Sequence, residues 1–261
     1  MSDYPLDLQR VGYSYLERPN RSILALLGRH VLSPRKDATI LDVGCGCGAN
    51  ARAIRSRWPA ARVIGVEPNE GAAAAAAAAC DSVFHGLLEE WIATLGDQAP
   101  GVDVVLLSDV LEHIADPVAW LRSMASLPQL ENATWIISVP NFGVWYNRLR
   151  TLAGRFDYAW SGLYDRTHLR FYTRKSIREL IEYCGLEVQA MRGTASIVQS
   201  AAPLLRMRFA GALQSGQHLA LTNSRAFRIY QRVIEPIEEA FCNLWPSLLA
   251  FQIVVVARRS G

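Results

Sequence analysis

The sequence predicts a doubly wound α/β fold with a mainly parallel seven-stranded sheet. Three observations carry this. Short apolar runs alternate with stretches of helical spacing along most of the 261 residues, a pattern of parallel strands joined by helical crossovers. The first run, Ile40, Leu41 and Val43, stops at three alternating glycines, Gly44, Gly46 and Gly48. A second run, at 62–66, ends in Glu67. A strand, a tight glycine turn, a helix and a second strand ending in a carboxylate are the parts with which an open sheet holds a nucleotide.

The elements follow in order. Residues 13–32 place Leu16, Ile23, Leu26, Leu27 and Val31 at helical spacing, and Pro34 ends the run. This gives an N-terminal helical segment over 1–36. Strands are expected at 38–43, 62–67, 82–85, 103–108, 134–139, 186–192 and 250–258, with helices between them. The alanines at 72–79 form helix strongly and suit a tightly packed crossover. Thr173 caps a helix whose first turn holds Ser176. Residues 196–248 exceed the minimal fold and form a helical insert before the last strand. There Arg206, Arg208, Arg225, Arg228 and Arg232 interleave with Leu204, Leu205, Phe209, Phe227, Ile229 and Tyr230. Such basic amphipathic stretches suit a lid or a homodimer surface, ahead of a membrane-surface contact. The whole chain, 1–261, reads as one domain.

Composition narrows the classes. Hydrophobic residues make up 51% of the chain, enough for a sizeable core. A net charge of +3 is too small for a nucleic-acid groove. The five cysteines show neither a disulfide framework nor zinc spacing. Cys45 and Cys47 lie inside the glycine turn and read as small packing side chains, so no metal is expected. Free cysteines suit a reducing cytoplasm. The polar start is no signal peptide. The apolar run at 248–257, broken by Gln252, is too short to span a bilayer. The expectation is a soluble cytoplasmic protein with no stable membrane insertion.

The glycines let backbone approach a ligand, and the following helix offers free N–H groups. Glu67 is placed for ribose hydroxyls, so an adenosine-containing cofactor is expected. On the glycines alone, Gly44, Gly46 and Ala49 also fit the loose dinucleotide pattern. Further motifs discriminate. Residues 41–48 read Leu-Asp-Val-Gly-Cys-Gly-Cys-Gly, and 66–68 read Val-Glu-Pro. Residues 103–114 read Asp-Val-Val-Leu-Leu-Ser-Asp-Val-Leu-Glu-His-Ile, followed by Asp116 and Pro117. Residues 136–141 read Ile-Ile-Ser-Val-Pro-Asn. These four, in this order, resemble the class I S-adenosylmethionine-dependent methyltransferases over roughly residues 10–190, which implies a Rossmann-like fold.

The resemblance implies S-adenosyl-L-methionine as cofactor and a small-molecule acceptor, as in ubiquinone-type, glycan and natural-product pathways. Tyr15 and Arg18 of the leading helix would reach the cofactor. So would Asp42, Gly44, Cys45 and Gly46 around the loop, Glu67 and Pro68 after the second strand, and Leu88 near the third. Asp42 is expected to orient the loop through hydrogen bonds. Ser108, Asp109, Val110 and His113 would line the methionyl end, since ligands sit outside the carboxyl ends of the strands. In one departure, Leu87 stands where the family often has an acid meeting adenine. Backbone groups or Glu89 would then serve.

Methyl transfer is an in-line displacement that depends on positioning, and an alcohol acceptor also needs a general base. Residues 163–173 read Leu-Tyr-Asp-Arg-Thr-His-Leu-Arg-Phe-Tyr-Thr, similar to a family pattern carried here by Asp165, Thr167, His168, Arg170 and Tyr172. His168 is the expected base and Asp165 its orienter; the competing reading has this segment hold a loop shut. Glu112 and His113 either fix a helix start or face the site. Asn141, Trp145, Tyr146, Tyr164 and Arg170 are the expected substrate contacts, within an aromatic stretch that includes Phe142, Phe156, Tyr158 and Trp160. The alternatives are an NAD(P)-dependent oxidoreductase and a non-catalytic cofactor-binding protein of the same fold. The fourth-strand and Val-Pro-Asn motifs weigh against the first, and the intact glycines and Glu67 against the second. Base methylation lacks its Asn-Pro-Pro-Tyr-type tetrapeptide, since the fourth strand ends in Ser108 and Asp109.

Overall fold

The apolar runs become seven strands of one sheet: β1 (Thr39–Val43), β2 (Arg62–Glu67), β3 (Ser82–His85), β4 (Val104–Ser108), β5 (Thr134–Pro140), β6 (Leu186–Gly193) and β7 (Gln252–Arg259). The computed structural model describes residues 19–33, 37–95, 101–159, 162–194 and 235–260. Strand order is β3-β2-β1-β4-β5-β7-β6. β1 to β5 pair in parallel, and β7 runs antiparallel between β5 and β6. The chain winds outward from β1 to β3, then crosses to β4 on the other side of β1. The crevice beyond the ends of β1 and β4 is therefore a topological switch point, where such sheets bind ligands.

The helices are α1 (Arg21–Leu27), α2 (Ala49–Arg57), α3 (Glu70–Ala76), α4 (Leu88–Leu95), α5 (Pro117–Ala125), α6 (Trp145–Leu152), α7 (Arg174–Tyr183), α8 (Glu235–Leu244) and α9 (Pro246–Leu249). Alternation along the strands feeds two cores. Ile40, Val63, Val104, Leu106 and Ile136 join Ile23 and Leu27 of α1 and Ile54 of α2 on one face. Leu41, Ile64, Val105, Leu107 and Ile137 join Trp91 of α4, Leu121 of α5 and Ile177 of α7 on the other. Burial on both faces explains why these strands read as continuous apolar runs.

Caps fix the helix starts. Asn20 accepts from Ser22 N and Ile23 N, which begins α1. Thr173 and Ser176 form a reciprocal capping box on α7, as the sequence predicts. Asp116 caps α5, with Pro117 in its first turn. Glu112 and His113 therefore do not open that helix. They sit in a separate single turn of 3-10 helix, Leu111–His113, directly beyond the tip of β4. α1 widens after Leu27 into a π turn, Gly28–Leu32.

The sequence-predicted insert lies largely outside the described residues, including its five arginines. Its end is described as α8 and α9, which expose Ile237, Phe241, Leu244 and Trp245. Among the described residues no helix is long and apolar enough to cross a membrane.

The alanine run is helical only to Ala76; Ala79 N then bonds back to Ala76 O at 2.8 Å, a tightened turn that leads into β3. Small side chains are needed here, since α3 packs onto the glycine turn. An added Cβ at Gly48 would lie 2.8 Å from Ala79 Cβ and 3.2 Å from Ala76 Cα, and Gly48 has φ +77°. Gly48→Ala combines left-handed strain of ~1–2 kcal/mol with overpacking of ~1–3 kcal/mol. Urea unfolding should show a loss of about 2–5 kcal/mol with an unchanged slope. A loss well under 1 kcal/mol would show that α3 moves aside freely.

Candidate active site

The turn after β1 is left-handed at each glycine, with φ +67° at Gly44, +54° at Gly46 and +77° at Gly48. Only glycine adopts this repeatedly without strain. Gly44 N and Cys45 N donate to Val66 O at 2.8 and 3.2 Å. Glu67 completes the anchor: Oε2 accepts from Gly46 N at 2.8 Å and Oε1 from Asn69 N at 3.0 Å. The Glu67 side chain is itself buried, at the end of β2 beside the turn. An added Cβ at Gly44 would lie 2.9 Å from Val110 Cγ2, so the tips of β1 and β4 meet here.

Asp42 departs from its expected role. It is fully buried, and neither carboxylate oxygen has a hydrogen-bond partner among the described residues. Burial, then the nearby Glu67, pushes its pKa up to about 7. Glu67, not Asp42, holds the loop. Cys45, expected among the cofactor contacts, turns its thiol inward. A Cβ at Gly65 would lie 2.7 Å from Cys45 Sγ and 3.1 Å from Cys80 Sγ. This is the small-side-chain packing expected for the turn.

Pro68 is exposed just beyond Glu67, and its carbonyl lies 3.1 Å from His85 Nε2. Leu88 is a correction: at the start of α4 it is buried in the core. Leu87 is 52% exposed instead, with its N–H donating to Glu90. Glu89 accepts from Trp120 Nε1 at 2.6 Å. Tyr15 and Arg18 lie outside the described residues.

At the tip of β4, Ser108 and Val110 are half-buried around Asp109. Asp109 is the one non-glycine residue with positive φ among those described, at 57°. Its carboxylate accepts from Ser138 Oγ at 3.2 Å and from Gln252 Nε2 at 2.7 Å. These bonds tie β4 to β5 and β7 and hold the strained tip in place. Burial raises the Asp109 pKa to about 6 against the opposing effect of both bonds.

The segment after Leu163 docks on the turn beyond β4. Leu169 N and Arg170 N both donate to Glu112 O, at 2.7 and 3.0 Å. This places His168 beside His113, ring centroids 5.0 Å apart at 70°. His113 Nδ1 lies 3.2 Å from Thr167 O. Burial, with His113 alongside, lowers the His168 pKa to about 4, while a hydrogen bond to the Leu163 backbone acts the other way. Asp165 Oδ1 accepts from Thr167 N and Oγ1 at 2.9 and 2.7 Å. It shapes the turn and influences His168 through charge. Sequence reasoning missed the weight of Glu112, which is 1% exposed with neither carboxylate oxygen hydrogen bonded among the described residues. Burial and then Asp109 drive its pKa well up, while its own backbone amide works against them.

Of the expected substrate contacts, Asn141 is a correction. It is fully buried, donating to the carbonyls of Pro246, Ser247 and Ala250 and accepting from Gly143 N. It clamps α9 to the end of β5. Tyr164 is likewise buried, its hydroxyl bonded to Asn147. Trp145 is 37% exposed, and Tyr146 is half-buried. Arg170 is exposed and donates to the Ala115 carbonyl. Phe142, Phe156, Tyr164 and Phe171 pack edge to face or tilted, with Phe142 and Phe171 ring centroids 4.7 Å apart. The aromatic stretch is thus a seam at its base with Trp145, Phe156 and Tyr158 exposed above; Trp160 lies outside the described residues.

The Asp42 burial has a measurable consequence. Its folded pKa of about 7 exceeds the ordinary 3.8, so the fold holds this proton more tightly than the unfolded chain does. Its contribution to stability is full below pH 3.8, declines as pH rises, and reaches its lowest level above pH 7. Asp42→Asn should match the parent near pH 4 and exceed it near pH 8, by up to about 4 kcal/mol. Denaturant melts at both pH values check this; a difference independent of pH would contradict it.

Residues 14–191 match the methyltransferase domain family. The ubiquinone biosynthesis O-methyltransferase of Dinoroseobacter shibae is 26% identical over 185 residues, covering 68% of this chain and 72% of that protein. The trans-aconitate 2-methyltransferase of Afipia carboxidovorans is 26% identical over 181 residues, covering 56% of this chain and 67% of that one. A methyltransferase structure from Archaeoglobus fulgidus superposes with TM-score 0.53 at 19% identity, covering 98% of this chain and 100% of its own. A cyclopropane synthase from Mycobacterium tuberculosis gives 0.55 at 16% identity, over 91% and 82% of the two chains. These structural likenesses speak for the fold. The family match spans the glycine turn, Glu67, the β4 tip and His168, and the chain belongs to the methyltransferase domain family as a class I S-adenosylmethionine-dependent methyltransferase.

Proposed function

We propose that this enzyme methylates a hydroxyl of a small acceptor, such as a sugar, a phenol or a natural-product intermediate. The observation that carries the reading is the cluster of Glu112, His113 and His168 just beyond the β4 tip, where His168 meets the aromatic seam at Phe171. The ubiquinone relative is an O-methyltransferase by name, which supports oxygen as the acceptor. Five free cysteines support a cytoplasmic setting. The apolar residues exposed on α8 and α9 support reading the insert as a cover or a dimer surface.

The residues present fit the cofactor. The left-handed glycines hold a narrow backbone turn at the end of β1, and Glu67 stands beside it at the end of β2, fixed by Gly46 N and Asn69 N. S-adenosylmethionine, when bound, supplies a methyl group on a sulfonium that leaves by in-line displacement. Ser108, Asp109 and Val110 border its methionyl end. The acceptor oxygen forms the new bond to carbon and gives up its proton. His168 is the proton acceptor in this reading, since its lowered pKa leaves it neutral at pH 7. Nearby Asp165 offsets the charge it gains.

A methyl-transfer screen over hydroxylated sugars, phenols and small acids, read by mass, tests the acceptor class. Products methylated only at nitrogen or carbon would refute it. Glu67→Ala should weaken binding of S-adenosylhomocysteine by about 1.5–3 kcal/mol per lost bond, measured by calorimetry. Unchanged affinity would remove Glu67 from the cofactor site. His168→Ala should lower turnover about 100- to 10,000-fold while cofactor affinity holds. Turnover near the parent level would assign His168 to structure alone.

A further inference from the structure

Four polar side chains from distant parts of the sequence join the two sides of the switch-point crevice. Asn20 N donates to Asn50 Oδ1 at 3.1 Å, in the first turn of α2 just past the glycine turn. Asn20 Nδ2 donates to Gln252 Oε1 at 3.1 Å. Gln252 Nε2 in turn donates to Asp109 Oδ2 at 2.7 Å. This hydrogen-bonded relay starts beside the glycine turn, passes through the cap of α1 and the start of β7, and ends at the β4 tip. A ligand held in the crevice meets elements from both ends of it.

Donor and acceptor chemistry fixes the direction of each link. An ionised carboxylate only accepts, so the Gln252 amide turns its nitrogen to Asp109 and its oxygen to Asn20. Asn20 Oδ1 is engaged by Ser22 N and Ile23 N as the cap of α1, which leaves its amide nitrogen to meet that oxygen. The main chain of Gln252 is held as well. Its N–H donates to Thr194 Oγ1 at 3.0 Å, and its carbonyl accepts from Thr194 N at 3.0 Å. Asp109 depends on such support. It stands half-buried at φ 57°, a backbone state that residues with a side chain keep only where the surroundings fix it. Ser138 of β5 supplies one restraint, and Gln252 supplies the other.

We propose that Gln252 is a positioning residue of the cofactor site, holding the β4 tip against the glycine-turn side through Asp109 at one end of its amide and Asn20 at the other. The inference concerns neither the acceptor nor the base, and it rests on the placing of the β4 tip at the methionyl end of the cofactor. Gln252 and Asn20 act through Asp109 and need not touch the cofactor. The anchoring of α1 is then felt in cofactor affinity as well as in folding.

Asn20→Asp separates those two effects. Aspartate caps a helix as well as asparagine does, so α1 keeps its start. It brings no amide donor, and its carboxylate competes with Asp109 for the single nitrogen of Gln252. Asn20→Ser also keeps a cap but adds no competing charge. Full-length protein is titrated with S-adenosylhomocysteine by calorimetry, and each ligand-free variant is melted. Asn20→Asp should raise the dissociation constant about three- to tenfold, the scale of one hydrogen bond, with the melting temperature near the parent value. Asn20→Ser should raise it by less. In a Gln252→Met background, Asn20→Asp should change affinity by less than about twofold, because the link is already gone. Parent affinity in both Asn20 variants overturns the proposal, whatever their melting temperatures, and that result needs no folded Gln252 variant. An equal effect of Asn20→Asp in the two backgrounds overturns it too, since the added charge would then act without Gln252. Ser108→Leu adds bulk at the tip outside the relay and should weaken binding about tenfold. Parent affinity there would take the tip away from the cofactor and the proposal with it. Weakened binding there beside unchanged Asn20 variants would overturn the relay alone, so the two failures are separable.

Discussion

The Glu67 carboxylate holds this architecture at its working end. One oxygen fixes Gly46 and the other fixes Asn69, so a single side chain joins the turn after β1 to the start of α3. Asn69 in turn caps α3 through Ala72 N at 2.9 Å. The glycine turn can therefore stay narrow and left-handed, and its narrowness requires alanines on the facing surface of α3. In the proposed role as ribose partner, a carboxylate that also bears structure is preorganised by the bonds it keeps with the backbone.

A second constraint is the gathering of acids at the strand ends. Asp42, Asp109 and Glu112 are all pushed upward in pKa, chiefly by burial. None resembles a stabilising surface charge, and each opposes folding when ionised. Their environments differ in a telling way. Asp109 is fully engaged, with Ser138 and Gln252 binding it across two neighbouring strands. Glu112 has no hydrogen-bond partner for its carboxylate among the described residues and stands beside the imidazoles of His113 and His168. Strain and unpaired charge concentrate at the crevice while the rest of the sheet is conventionally packed, as expected where function is served at a cost in stability.

What the sequence made legible follows from range. Strand positions, the capping box of Thr173 and Ser176 and the glycine turn depend on residues close in the chain, and the sequence marks them clearly. Side-chain direction depends on distant partners. Asn141 reads as a pocket residue beside an irregular segment, yet its amide is consumed by carbonyls of α9, about a hundred residues on. Leu88 reads as a cofactor contact near the third strand, but the start of α4 sends it into the core and leaves Leu87 outside. The closeness of His168 to Glu112 arises from backbone bonds at Leu169 and Arg170, for which no spacing rule exists. Asp165 and His168 suggest a dyad by proximity in sequence, although Thr167 lies between them and takes the carboxylate.

The same clamp explains where acceptor choice can be set. Asn141 binds the last turn of the helical segment between β6 and β7 to the end of β5, next to Gly143. β5 leads directly into α6 and the aromatic seam. The seam carries its own hydrogen-bonded spine, with Asn147 donating to the Phe142 carbonyl and accepting from Tyr164. The helical segment before β7 and the aromatic seam are thus joined through Asn141, and Gln252 at the start of β7 joins them to Asp109 at the β4 tip. In the hydroxyl-methylation reading proposed above, variation in α8 and α9 would retune which acceptor meets the seam while Glu67 keeps the glycine turn in place. This is the usual division between a rigid scaffold and the segments it positions.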